Sequence, residues 1–330
     1  MSDRMRIGVG LPPNLTDEHL QLASQFGCEG VVLATPARLG NSGRWEYDDL
    51  VALRKWVESY GLKIEALQNL PHSFWMKVRL GEPGRDAEIE NFQKTVRNIG
   101  RAGIPVLGHN FRPEPLYRTH HIPGRGGAEV TAFDRKLVEN KPLTFGREIS
   151  ADEMWASYEY FLKAVLPVCE EAGVVLALHP DDPPGPAIGG VARIFSSFDG
   201  FDRGSKLALS IAKPGTWQLT FCVGCWYEMG GLENVLRGIR HFGRLGQLSF
   251  IHLRDVEGVG DRFNEAVMGS GELDATAVFR ALHEVGFTGC IIEDHAPKMA
   301  GDEGWYPRGR AFQTGYLQGM LRVLNDTGWK

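Results

Sequence analysis

Val174-Val175-Leu176-Ala177-Leu178-His179-Pro180-Asp181-Asp182-Pro183-Pro184 is an apolar run that ends in a histidine, two acids and a pair of prolines. An uninterrupted apolar run of this length reads as a strand buried on both faces. The prolines forbid further regular structure beyond it. A buried strand that delivers a ligand-type side chain at its carboxyl end is where parallel barrels place their chemistry. The same event recurs three times downstream: Gln218-Leu219-Thr220-Phe221 ends in Cys222, Leu248-Ser249-Phe250-Ile251 in His252, and Cys290-Ile291-Ile292-Glu293 in Asp294-His295. Four successive strands would thus each present one metal-type side chain at a common rim.

Upstream, the same alternation of strand and helix is already running. Met5–Gly10, Gly30–Ala34, Lys63–Leu67 and Pro105–Asn110 read as strands. Helices between them are punctuated by an N-cap at Thr16 and by stops at Gly61 and Gly103. The rhythm breaks from Phe111 to Ser150, a stretch rich in Pro, Gly, Arg and His and too long for a plain connection. It reads as an excursion over the barrel mouth. An amphipathic helix follows from Ala151 to Ala172, with Pro167 predicting a kink or break. Further helices are expected around Val191–Phe195, Leu232–Phe242, Asp274–Val285 and Gly309–Leu324. Eight strand–helix pairs argue an α/β fold, a (β/α)8 barrel forming a single domain over 1–330, with 111–150 inserted after the fourth strand. A doubly wound open sheet is the rival, but no glycine-rich phosphate turn follows the first strand.

Composition narrows the class of function. The 330 residues are 43% apolar and 23% charged, with a net charge of -5, which gives no footprint for nucleic acid. No long uncharged apolar segment suggests a membrane span, and Met1-Ser2-Asp3-Arg4 leads into a strand without a signal peptide. Five scattered cysteines, an odd number, point to a reducing, cytoplasmic setting.

His179, Cys222, His252 and Asp294 offer imidazole, thiolate, imidazole and carboxylate, a mixed set suited to a borderline-soft divalent ion such as manganese, iron, cobalt or zinc. A single such histidine is ordinarily a packed or loop residue; four at consecutive strand ends are far harder to explain by chance. Cys222-Val223-Gly224-Cys225 has the spacing of a redox or zinc motif, but no second pair exists, and Cys225 reads as a loop thiol. Asp181-Asp182 is either an acid/base pair or a turn cap. Arg193 and Arg254, just past strand ends, are candidates to clamp a substrate by bidentate hydrogen bonds, with surface arginine as the plain alternative. His295 suits general acid or base work near neutral pH, or the orientation of its ligand neighbour.

These residues resemble the mannonate dehydratase family and, more widely, the xylose-isomerase-like TIM barrels. The runs that carry the resemblance are His179 to Pro184, Leu219-Thr220-Phe221-Cys222, His252-Leu253-Arg254 and Asp294-His295, with Asn110-Phe111, Ser270-Gly271 and Leu273-Asp274 between and around them. The resemblance implies elimination of water from a sugar acid: the C2 proton of mannonate is removed and the C3 hydroxyl expelled, giving 2-keto-3-deoxygluconate. It implies a divalent ion, usually manganese, on His179, Cys222, His252 and Asp294. Acid/base candidates by match are Asp294 and His295, with Tyr306 nearest to the family's catalytic tyrosine. Asn110, Asp181, Arg193 and Arg254 are the expected substrate contacts, and the partners expected are a small sugar acid and further copies of the chain in a homo-oligomer.

Departures cluster in the parts that read substrate. Where the family has Arg-Pro-Asp-His-Gly-Arg, this chain has Ile292-Glu293-Asp294-His295-Ala296-Pro297, so both arginines are absent. The family's Val-His-Glu-Asp reads Phe74-Trp75-Met76-Lys77, with His72 displaced. The pattern suggests another aldonate, uronate or sugar derivative as substrate, with a sugar isomerase, an epimerase or a non-catalytic carbohydrate-binding barrel as rival readings.

Overall fold

A computed structural model describes residues 4–329. Met1–Asp3, where the sequence reading looked for a leader, and Lys330 lie outside the described residues. Eight parallel strands close into a barrel: β1 (Arg6–Leu11), β2 (Gly30–Ala34), β3 (Lys63–Gln68), β4 (Val106–His109), β5 (Val175–Leu178), β6 (Trp217–Cys222), β7 (Leu248–Leu253) and β8 (Cys290–Glu293). Each strand pairs with its sequence neighbours and β8 returns to β1, with Ile7 opposite Ile291. Inside, Val32, Ala66, Ala177, Phe250, Cys290 and Ile292 pack as a small apolar plug. This is the core that β-branched and apolar runs form when both faces of a parallel sheet are covered.

Helices surround the strands: α1 (Asp17–Gln25), α2 (Tyr47–Glu58), α3 (Met76–Leu80), α4 (Arg85–Arg101), α5 (Ala151–Ala172), α6 (Phe198–Leu209), α7 (Val223–Arg244), α8 (Ala275–Glu284) and α9 (Pro307–Thr327). The start of α5 is fixed by a capping box, Ser150 with Glu153, and it ends on Gly173 in the left-handed conformation. It runs on through Pro167 as one helix, so of the kink or break expected from the sequence the break does not occur. In the turn that the proline disturbs, Gln93 Nε2 donates to Ala164 O at 2.8 Å, supplying a bond from α4. The two helices touch closely at Gly100, where a Cβ would lie 2.3 Å from Ala172 O.

Three further corrections concern the loops. Val191–Phe195 is no helix: Val191–Ala192 is a short strand paired with Ala187–Ile188 across the left-handed pair Gly189-Gly190, and α6 begins only after the Ser197 cap. The helix expected at Leu232–Phe242 starts earlier, directly after Cys222, and is broken at Gly230-Gly231. The excursion after β4 is also more ordered than a loop. Its strands His120–Pro123 and Glu129–Asp134 join a hairpin, Asp255–Val259 and Arg262–Ala266, that follows β7. Together they form a four-stranded antiparallel sheet. Phe133 and Phe263 are Cα partners within it and pack ring to ring at 5.4 Å.

Candidate metal centre and active site

The register of the barrel sets the height of the candidate ligands. Cys222 and His252 are Cα partners at the ends of β6 and β7, and His179 follows β5 as Asp294 follows β8. All four are buried. Ligand atoms of Cys222, His252 and Asp294 lie within 4.8 Å of one another, as do those of His179, Cys222 and Cys225. Asp294 bridges the set, with Oδ2 3.4 Å from Cys222 Sγ and Oδ1 3.7 Å from His252 Nδ1. The His179 and His252 rings are 5.3 Å apart. The structure therefore brings together the residues that four distant strand ends offered.

Details of bonding bear on what the group can hold. His179 Nδ1 contacts Pro180 O at 2.8 Å, which fixes that nitrogen as the donor and leaves Nε2 its lone pair. His252 has neither ring nitrogen hydrogen-bonded although both are buried. A buried imidazole without a partner is destabilising unless something else takes its lone pair. Burial alone would raise the Cys222 thiol, but the hydrogen bond with Cys225 and the charge of Arg254 hold it well below the ordinary thiol value. Burial likewise opposes ionisation of Asp294, and His295, Arg254 and His252 together outweigh it, keeping the carboxyl well below its usual range. These features, two imidazoles, a low thiol and a carboxylate in two overlapping clusters that share Cys222, are the donor chemistry of a divalent-cation site.

Beside this group lies a dense ion network. Arg254 is fully buried and donates to Cys222 Sγ at 3.1 Å, Glu228 Oε1 at 2.7 Å and Asp182 Oδ2 at 3.2 Å, and also to Asp294. Arg118, from the excursion, pairs with Asp182 and donates to Glu265 Oε1 at 2.8 Å. The expected clamp on substrate is therefore replaced, for Arg254, by a hub among protein acceptors. Asp182 is likewise held in that hub, while Asp181 Oδ2 accepts from Phe195 N at 2.9 Å. Cys225, expected as a loop thiol, sits buried in the first turn of α7 beside Cys222 and His179.

His295 is one-third exposed, with Nδ1 2.5 Å from Glu265 Oε1 and Nε2 3.5 Å from Asp294 Oδ1. Burial lowers its pKa, but the Asp294 and Glu265 carboxylates dominate and raise it to about 9. Glu265 is pushed up by burial and pulled down further by His295 and Arg118, to about 2. His295, Asp294 and His252 open onto a cavity of about 360 Å³ that Gln68, Trp305, Tyr306 and Arg310 also line. Tyr306 is set there by a left-handed backbone (φ 59°) at the N-cap of α9. Glu293, on the same cavity, accepts from Arg310 at 2.5 Å; burial still pushes its carboxyl up to about 7. Asn110 and Arg193 are buried and are not among the residues that line this cavity.

Sequence reading missed Glu265, Arg118 and Glu228. Glu265 belongs to a hairpin that begins straight after the His252-Leu253-Arg254 run, where no strand was expected. Its strand buries Phe263 and Glu265 on either side of half-exposed Asn264, an alternation that the residue types Phe-Asn-Glu do not announce.

The whole chain can be compared with known proteins. The family profile described as "D-mannonate dehydratase (UxuA)" matches residues 14–146 and 140–328. Curated relatives include mannonate dehydratases of Thermotoga maritima, 28% identical with 85% of this chain and 87% of that protein covered, and of Streptococcus suis, 29% identical with 91% and 90% covered. The crystal structure of mannonate dehydratase from Streptococcus suis serotype 2 superposes with a TM-score of 0.86 at 29% identity, covering 98% of this chain and 95% of that one. A D-psicose 3-epimerase matches with a TM-score of 0.64 at 12% identity, covering 96% and 99%, a likeness of fold alone. The closed parallel barrel, the order of the strand-end residues and the profile match over both halves lead to one assignment: the chain belongs to the D-mannonate dehydratase family of sugar-acid hydro-lyases.

Proposed function

We propose that this protein is a metal-dependent carbon–oxygen hydro-lyase that takes the C2 proton of a sugar acid and expels its C3 hydroxyl, leaving a 2-keto-3-deoxy acid. His179, Cys222, His252 and Asp294 hold a divalent ion, manganese by preference, with iron, cobalt or zinc as alternatives. The observation that carries this reading is His252, buried with both ring nitrogens unpartnered next to Cys222 and Asp294. The bound ion supplies positive charge where the substrate carbanion develops.

The protein's own groups do the rest. His295 is aimed by its bond to Glu265 and reaches the cavity, so it can hold or pass a proton at Nε2. Tyr306 lies on the same cavity and is the second proton-transfer group. The Arg118–Glu265 pair fixes the histidine's orientation, and the plug beneath keeps the floor of the site dry. The loss of the two arginines around Asp294 points to an aldonate or uronate other than mannonate. We also read the barrel as a single domain working as a homo-oligomer in a reducing cytoplasm, in keeping with five buried free cysteines; among the described residues no helix is long and apolar enough to cross a membrane.

The test is a screen of aldonates and uronates with manganese added, read by keto-acid formation and product mass. Loss of one water supports the lyase. An unchanged mass would point to an isomerase or epimerase, and binding without turnover to a non-catalytic barrel.

A further inference from the structure

Next to the metal-ligand group, on the β3–β4–β5 side of the rim, three arginines are buried with no carboxylate in hydrogen-bond contact. Arg79 in α3, Arg112 two residues beyond Asn110, and Arg193 after the short strand Val191–Ala192 are at most 6% exposed. Arg79 meets only His72 Nδ1, at 3.1 Å, and lies over the Trp75 ring. Arg112 donates to Glu114 O at 2.6 Å and Arg193 to Pro183 O at 3.0 Å, both through Nη1. What remains is specific: Nε and Nη2 of Arg79, Nε and Nη2 of Arg193, and Nε of Arg112 have no partner. The Nε–Nη2 edge is the fork that grips a carboxylate with two parallel hydrogen bonds.

The protein's own acids do not fill these forks. Glu114 Oε2 stands 3.9 Å from Arg193 Nη2, beyond hydrogen-bond range, and both its carboxylate oxygens are unpartnered. Burial pushes the Glu114 carboxyl up to about 7 in spite of Arg193, so it is a weak counter-charge near neutral pH. Asp181 and Asp182 are the other acids in range, Asp181 with one oxygen already taken by Phe195 N and Asp182 already paired with Arg118 and Arg254. Buried guanidinium groups left in this state are strongly destabilising unless an anion arrives. Their place matters too. His109 is the Cα partner of Leu178, and His179 N donates to His109 O, so the segment leading into Asn110 and Arg112 runs beside the first candidate ligand.

We infer that the open Nε–Nη2 edge of Arg193, in the electrostatic reach of Arg112, receives a carboxylate, and that this is the acid end of the sugar-acid substrate. The inference rests on the lyase reading above and adds to it. The substrate's C1 would point to the β4–β5 sector, C2 and C3 would lie over the ligand group, and the remaining hydroxyls would occupy the cavity lined by Gln68 and Trp305.

Calorimetric binding of D-mannonate and D-gluconate to the manganese-loaded protein, against the uncharged mannitol and sorbitol, tests this in wild type, Arg193→Gln, Arg193→Lys and Arg112→Met. Loss of a bidentate charged bond should weaken aldonate binding roughly tenfold to a hundredfold in Arg193→Gln, with partial recovery in Arg193→Lys and no change for the alditols. Should Arg193→Gln fail to fold, as seen by its melting curve, Arg112→Met carries the same expectation. Wild-type turnover of an aldonate that the variants bind equally well overturns the carboxylate seat while leaving the lyase intact. If wild type neither binds nor converts any sugar acid, the functional reading fails and the inference falls with it.

Discussion

Glu114→Gln isolates one buried charge whose effect on stability can be worked from its surroundings. The side chain has no measurable exposure and faces Arg193, Asp181 and Arg112 without hydrogen-bonding any of them through its oxygens. Burial, only partly offset by Arg193, raises its carboxyl from 4.5 to about 7. A carboxyl whose folded pKa lies above its unfolded one holds its proton more tightly in the native state. Its contribution to stability is therefore full below pH 4.5 and is lost as pH climbs to about 7. At about 1.4 kcal/mol per pH unit the whole loss is about 3 kcal/mol. Glutamine keeps the shape and cannot ionise, so the variant should gain on wild type by up to that amount between about pH 5 and about pH 8. For a chain of this length that corresponds to a melting shift of roughly 4 °C. Urea unfolding at both pH values, with manganese held constant, measures it. The slope is the test, since a packing defect from the new amide would offset both values equally. A stability difference that does not change with pH would refute the reasoning.

Other substitutions probe the rest of the site and the frame around it. His252→Ala should abolish stoichiometric manganese, read by elemental analysis, whereas His295→Asn should keep the metal and lose turnover by roughly a hundredfold to ten-thousandfold; full activity in His295→Asn would remove it from proton transfer. Arg254→Met takes from buried Glu228 its hydrogen-bonded cation and leaves Asp182 with Arg118 alone, and should reduce stability by about 3–5 kcal/mol in urea unfolding. Gly100→Ala drives a methyl group against Ala172 O and should lower stability by about 1–3 kcal/mol, seen in calorimetry, with the manganese content unchanged.

How much of this was legible beforehand differs by element. Apolar runs ending at His179, Cys222, His252 and Asp294 announced both the strands and their chemical ends, because a strand buried on two faces needs an unbroken apolar stretch whatever surrounds it. The loops were less legible. The hairpin from Asp255 to Ala266 is strand because it pairs with Glu129–Asp134 from far upstream, and its own sequence has no buried run to mark it.

The amino-acid order by itself determined the barrel and the four candidate ligands, since each depends on a short, local pattern. Only the tertiary structure decided which charges meet. It turned Arg254 from a substrate clamp into a hub, set Glu265 behind His295, and left the forks of Arg79 and Arg193 open. The reason is physical: a charged side chain's partner is fixed by where distant loops fold in space, and burial multiplies the consequence of each pairing or its absence.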